Sequence, residues 1–450
     1  MKTKKWLFLT VLLPLATGIQ SNAMAAPRAA QIPEPTVVER GPNHRVWQRV
    51  LPIVLPNGQP SSRIARYTEL AVGLHYLKDG QWLETQEEFE LFPDGAIARQ
   101  GPHVLVLANN INTAGAVDLL SPDGKRFRSH ILGLTYTDLT TGRSVMIAAI
   151  KDSIGEQIAP NQILYRDAFT DYKADVRYTY TRSGFEQDVI IREKLDSPSV
   201  YGLWTQTTRI ELFTEFLEAP TPVKERIVVR QEADPILRAS LLEPDLVDEL
   251  LDFGVLTMGS GHALPLGPPP ADPFGEDAVP TGKSWETRDG RRLLIEKVDY
   301  PSLLPQLEAL PESAAIPKPK RDGMLARGGP ATGTSFLPAP PPARQAQPKP
   351  RMQMASQFPP AKGVVLDYTL QGSLTNFVLR ADTTYYVASE VNFKGTTVIE
   401  STVVKFTNYV SSPYVRLIFG GPVDCRTGPA RPAIFTAKDE NTVGVLATIS

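Results

Sequence analysis

Ala174-Asp175-Val176-Arg177-Tyr178-Thr179-Tyr180, then Thr181-Arg182-Ser183-Gly184, then Phe185-Glu186-Gln187-Asp188-Val189-Ile190-Ile191, is the stretch that decides the fold class. Ala174, Val176, Tyr178 and Tyr180 recur at period two, with Asp175, Arg177 and Thr179 between them. In an extended strand that spacing puts the two sets on opposite faces. Residues 181–184 supply a turn, and 185–191 return as a second strand ending in a β-branched run. A slip of one residue would drive the tyrosines onto the polar face, so the register is well specified.

The same texture extends outward over residues 46–230. Short runs of alternating apolar and polar residues are punctuated by Asn57-Gly58, Asp79-Gly80, Asp94-Gly95, Asp123-Gly124 and Thr141-Gly142. Such pairs accept the positive φ that tight turns demand, and strands at this spacing read as a mainly β, sandwich-like domain spanning 46–234. Ahead of it, 26–45 reads as an extended lead-in. Behind it, 235–310 reads as a small helical and strand appendage. There Leu237, Leu241, Leu242, Leu246, Leu250 and Leu251 recur near helical spacing, and Pro244 splits the pattern into two short helices. Another short helix is expected near 302–310, and a hairpin over 285–298 turning at Asp289-Gly290.

Residues 311–362 carry most of a proline-rich tract, with 12 of the chain's 41 prolines in 311–360, and read as a semi-extended linker. Beyond it, 363–450 returns to Val, Ile, Thr, Tyr and Phe. Segments 385–407 and 414–436 share a strand–turn–strand rhythm of similar length, as in the stacked passes of a β-solenoid. The apolar, β-prone stretch 443–450 has no polar cap, so the module is expected to be incomplete and the natural chain to continue.

Composition bounds the partners. The 47 basic and 49 acidic residues nearly cancel, which argues against nucleic acid as a partner. Lys2, Lys4 and Lys5, an apolar run over 6–15 and Ala23-Met24-Ala25 read as a cleavable export signal at 1–25. That run is too short for a membrane span, and no second stretch of spanning length follows, so no transmembrane segment is expected in the mature chain. Cys425 is the single cysteine, which excludes an intramolecular disulfide, and it reads as a buried structural thiol.

Motif by motif, no chemistry is assigned. Thr281-Gly282-Lys283-Ser284 resembles the end of a phosphate-binding loop, but Asp277 stands where its first glycine belongs, leaving a polar turn. Gly259-Ser260-Gly261-His262 lacks the glycine spacing of a nucleophile elbow and reads as a loop. His44, His75, His103, His130 and His262 show no metal-ligand spacing. Asp167, Asp171, Asp175, Glu186 and Asp188 lie near tyrosines 165–180, a combination a glycan cleft would use. Asp175 and Asp188, however, have adjacent basic residues to pair with, Arg177 and Arg192. Asp439-Glu440-Asn441 reads as a polar turn rather than a calcium loop. Trp47, Trp82, Trp204 and Trp285 are spread out, and any exposed one would be a platform for sugar rings. No catalytic residue and no cofactor follow from the sequence, and metal binding is undetermined.

Ile163-Leu164-Tyr165-Arg166-Asp167-Ala168-Phe169, with Ala174-Asp175-Val176-Arg177-Tyr178 and Gly184-Phe185-Glu186-Gln187-Asp188-Val189-Ile190, resembles the β-rich N-terminal region of large secreted bacterial modular proteins of the RHS/YD-repeat-associated type. No YD repeat is present. Thr384-Tyr385-Tyr386-Val387, Thr396-Thr397-Val398-Ile399-Glu400, Gly421-Pro422-Val423 and Arg431-Pro432-Ala433-Ile434-Phe435-Thr436 are similar to the first coils of parallel β-helix modules. These resemblances imply an exported, non-catalytic scaffold or adhesin-like protein, secreted or at the cell surface, with a glycan or cell-surface partner. The rival expectations are an extracellular carbohydrate-active enzyme, a polysaccharide lyase or hydrolase, and the shell portion of a secreted toxin.

Overall fold

In the computed structural model, which describes residues 33–266, 279–312, 351–357, 362–407, 415–440 and 442–445, the chain is mainly β. Residues 1–25, read above as an export signal, and most of the proline-rich tract lie outside the described residues.

The deciding hairpin forms in the register its alternation requires. Strands Ala174–Thr181 and Gly184–Ile191 pair antiparallel from Thr181 opposite Gly184 to Ala174 opposite Ile191. Val176, Tyr178, Tyr180, Phe185 and Val189 enter the main core. The other face departs from expectation. Asp175 and Thr179 are buried as well, Asp175 accepting from the Asp167 amide and from Arg192 Nε.

Two large sheets enclose that core. One runs from Val223–Arg230 through Leu246–Asp252, Leu256–Met258, Val364–Gly372, Gly184–Ile191, Ala174–Thr181, Gln162–Tyr165 and Gly155–Ala159 to Gln353–Met354. The other centres on Arg126–Asp138, flanked by Thr208–Glu218 and Arg291–Asp299 on one side and Val117–Leu120 on the other. Phe185 meets Tyr368 edge-on, and Phe216 packs on Trp285, so aromatic rings fill the space between them.

This topology redraws the divisions read from sequence. Part of the lead-in is strand, since Thr36–Gly41 pairs with His44–Val54. Of the two expected leucine-rich helices only Pro235–Ser240 forms, capped by Asp234, whose carboxylate accepts from the Ile236 and Leu237 amides. Leu246–Asp252 is instead a strand paired with Val223–Arg230. Leucine fits either period, and the waiting strand edge decides. The appendage is therefore built into both sheets: Gly282–Arg288 and Arg291–Asp299 form the expected hairpin but sit at the edge of the second one. The helix expected near 302–310 is Tyr300–Glu308.

The described end of the linker tract is also packed. Met352 is in the core, and Gln353–Met354 pairs in parallel with Gly155–Ala159. Most consequential is Val364–Gly372, which was expected to open a separate module. It pairs with Gly184–Ile191 over its whole length, from Ile191 opposite Val364 to Gly184 opposite Gln371.

Past Gly372 the chain makes three stacked passes. Leu374–Thr375, Val391–Lys394 and Leu417–Phe419 form one parallel ladder, and Val378–Leu379, Thr397–Ile399 and Val423–Cys425 a second. Thr384–Val387, Val403–Phe406 and Ile434–Ala437 form a third. The repeat is uneven: Thr384 stacks on Val403, but Val403 on the more distant Ile434. Phe377, Phe393 and Phe419 stack along the interior. Gly421 lies so close beneath the Gly395 carbonyl that a Cβ would stand 2.2 Å from its oxygen. Cys425, expected to be buried, is exposed on the last pass.

Gly184 is the tightest point of the central sheet. A Cβ there would lie 1.8 Å from the Leu370 carbonyl oxygen, which the backbone cannot yield without breaking the ladder. Gly184→Ala is expected to cost about 3 kcal/mol, read as a fall in the urea midpoint. Gly259→Ala, where a Cβ meets nothing within 4 Å, should change the midpoint little.

Candidate functional site

The densest concentration of ionisable groups lies on the polar face of the Gly184–Ile191 strand. Alternation puts Glu186 and Asp188 there, with Arg177 opposite Asp188 on one side and Asp367 opposite it on the other. Directly opposed like charges destabilise a sheet, so this row needs compensation. Arg177 Nε donates to Asp188 Oδ2 at 2.7 Å. The backbone N–H of His262 donates to Asp367 Oδ1 at 3.2 Å. In the second sheet, on the face that Trp285, Leu294 and Val298 turn to the core, Lys283 Nζ donates to Asp248 Oδ1 at 2.7 Å, and Glu296 stands opposite Lys283.

Burial sets the protonation of this group. It pushes the Glu296 carboxyl up to about 8 and Asp367 up to about 7, with the neighbouring carboxylates adding to the effect. Glu186 moves the same way, raised by burial and then by Asp188 and Asp367. Burial raises Asp188 too, against the pull of Arg177, and lowers Lys283 against the pull of Asp248. Below neutrality the surplus carboxyls therefore hold protons. Unfolded, they would lose them in the ordinary carboxylate range. The folded chain thus binds more protons between about pH 4 and pH 8. Stability from these groups falls as pH rises through that window.

Of the acids, Glu186 and Asp188 were visible in the sequence, and both basic residues expected to pair there do so, but with partners exchanged across the hairpin rather than with their sequence neighbours. Asp188 meets Arg177, and Asp175 meets Arg192, each at 2.7 Å. The glycan cleft does not assemble, because Tyr165, Tyr178 and Tyr180 point into the core on the opposite face of the sheet. Asp167 is at the surface, bound to Lys151 at 2.9 Å. Asp171 adopts φ 63° in the adjoining loop. The apolar cavity between the sheets, lined by Val117, Phe127, Phe185, Phe216 and Tyr368, is likewise on the side away from the acids.

Asp248, Lys283, Glu296 and Asp367 come from four separate segments, so sequence spacing could not unite them. Their one local signal is a charge breaking an apolar run, as in Val364-Val365-Leu366-Asp367-Tyr368. Lys283, at the end of the phosphate-loop look-alike, lies within a strand rather than a turn and is committed to Asp248. His262 begins the strand His262–Pro265 where a loop was expected, and burial holds its imidazole below its ordinary pKa. His75, His103 and His130 are buried within the fold, and burial takes His103 and His130 down to about 4.

Among the described residues no three His, Cys, Asp or Glu side chains converge as metal ligands. Glu440, in the suspected calcium turn, accepts through its backbone carbonyl from Lys405 at 2.6 Å, and Asn441 lies outside the described residues. Comparison with protein-family models, curated proteins and solved structures returns no match.

Removing one member of the Lys283–Asp248 pair strands the other inside the fold. Lys283→Met is expected to cost about 3–5 kcal/mol, and adding Asp248→Leu to recover most of it. Urea denaturation of the single and double variants provides the check.

Proposed function

We propose that the chain is an exported, non-catalytic modular scaffold of adhesin-like type, secreted or held at the cell surface, in which the sandwich starts a β-solenoid-like stack. One observation carries this reading. Strand Pro60–Leu70 is itself the first rung of the third ladder, with Thr68, Glu69 and Leu70 beside Tyr385, Tyr386 and Val387 in parallel. Leu70 and Val72 join the stack's interior, against Leu374, Tyr385 and Val387. A ladder begun on an existing strand satisfies the backbone groups of its first rung and leaves no open edge on that side. Such a design suits a protein whose task is to project a rigid surface.

Export is read from residues 1–25, and among the described residues no helix is long and apolar enough to cross a membrane. The resemblance to secreted modular proteins agrees with that address. The cleft that would favour the enzyme alternative does not form from Glu186 and Asp188, which occupy the face of the sheet opposite Tyr178 and Tyr180.

For glycan contact, Trp204 is the platform. Its residue is 70% exposed, whereas Trp285 is buried and Trp47 stacks on Tyr67 and donates to Glu69. An exposed indole offers an apolar face to a sugar ring and an N–H to a hydroxyl.

The test is a glycan array probed with the full exported chain and with Trp204→Ala. Expected is binding to a restricted set of glycans, weakened about tenfold in the variant with its melting temperature unchanged. Absence of binding to every glycan would remove the glycan contact. Appearance of cleaved glycan would overturn the non-catalytic reading.

A further inference from the structure

Strands His44–Val54 and Pro60–Leu70 pair along their whole length, from His44 opposite Leu70 to Val54 opposite Pro60. Each has a second neighbour only near its base: Thr36–Gly41 reaches no farther than Gln48, and Thr384–Val387 no farther than Thr68. Among the described residues, 49–54 and 60–66 therefore pair with nothing but each other, and they extend as a two-stranded arm that turns at Asn57-Gly58. From Val50 to Ile64 no residue is buried. Pairing sets Val50 beside Ile64, and alternation puts Val54 on the same face. Farther down, that face carries Leu70 into the interior of the stack, so the arm takes an apolar surface out beyond the stacked passes. Val54 is 74% exposed and Ile64 57%, and Val50 and Leu55 are exposed beside them. A two-stranded ribbon is marginal in water by itself, so contact with another surface would stabilise it.

Charge selects the surface. Residues 46–66 include Arg49, Arg63 and Arg66 but no Asp or Glu. Arg63 and Arg66 are exposed. Arg66 Nε donates to Gln48 Oε1 at 2.8 Å, and no carboxylate holds either guanidinium among the described residues. We propose that the arm docks the protein on an anionic lipid surface, with Val50, Val54, Leu55 and Ile64 supplying the apolar contact and Arg63 and Arg66 the charge. Aliphatic side chains gain by entering the boundary between headgroups and acyl chains, and basic residues near it are drawn to anionic headgroups. A second copy of the chain fits less well. Pro52 lies within one strand and Pro60 opens the other, and a proline offers no N–H to an incoming strand. Two arms side by side would also bring their arginines together. The contact is separate from Trp204 and does not depend on glycan binding there.

The test is sedimentation of the full exported chain with vesicles of phosphatidylcholine alone or of phosphatidylcholine mixed with phosphatidylglycerol. Expected is binding to the mixed vesicles, weakened by salt, and about tenfold weaker binding to phosphatidylcholine alone. Val54→Asn/Ile64→Asn and Arg63→Gln/Arg66→Gln should each weaken binding to the mixed vesicles about tenfold, with the melting temperature unchanged. Leu77→Asn, which alters an exposed leucine on the separate hairpin of His75–Lys78 and Gln81–Glu84, should bind as the wild type does. Hydrogen exchange of the wild-type chain gives a reading independent of any variant: amides of 49–66 should gain protection when mixed vesicles are added. No binding to the mixed vesicles, binding undiminished in both double variants, or no added protection over 49–66 overturns the proposal. Concentration-dependent self-association without lipid, abolished by the same variants, would assign the arm to a second copy and overturn it too.

Discussion

Pairing of Val364–Gly372 with Gly184–Ile191 is the constraint on which the rest of the structure depends. Antiparallel pairing holds from Ile191 opposite Val364 to Gly184 opposite Gln371. It brings a segment from beyond the proline-rich tract back into the middle of the first sheet. On its apolar side, Leu366, Tyr368 and Leu370 complete the core that Phe185 and Val189 begin. At its end, the next residues must enter the stacked passes, and they do so where strand Pro60–Leu70 already presents an edge. Two contacts distant in sequence thus fix the second half of the chain on the first.

The same pairing creates the electrostatic tension of the molecule. Alternation that delivers Leu366, Tyr368 and Leu370 to the core delivers Asp367 to the opposite face, beside Asp188. The fold accommodates this by pairing Arg177 with Asp188 and Lys283 with Asp248, and burial raises the remaining carboxyls above the ordinary carboxylate range. A buried ion pair such as Lys283–Asp248 adds little net stability against an apolar replacement, but losing one member is severe. Its value here is specificity: it defines how Gly282–Arg288 crosses Leu246–Asp252.

Local features were legible in the sequence. The period-two tyrosines fixed the hairpin register, Asp289-Gly290 marked its turn, and Pro at 235 with Asp234 before it marked a helix start. What was not legible is which strands meet. Leu246–Asp252 has a leucine pattern that serves helix or strand, and only the edge of Val223–Arg230 decides between them. Composition drew a linker at 311–362 because proline cannot build a core, yet that tract is followed by a strand of the first sheet. Sequence adjacency therefore mistook a long-range insertion for a domain boundary. The acid cluster was hidden for the same reason, since Asp248, Lys283, Glu296 and Asp367 become neighbours only after both sheets have formed.

The central claim is that Val364–Gly372 lies beside Gly184–Ile191 in the stated register. The direct measurement is disulfide formation in the full chain carrying Glu186→Cys and Thr369→Cys on a Cys425→Ser background. Glu186 and Thr369 are direct partners in the ladder, within the span a disulfide bridges. The account predicts rapid, near-complete cross-linking within the folded monomer. It also predicts none in the control that moves the second cysteine to Asp424, on the last pass. Failure of the 186–369 pair to close while the chain remains folded would contradict the account.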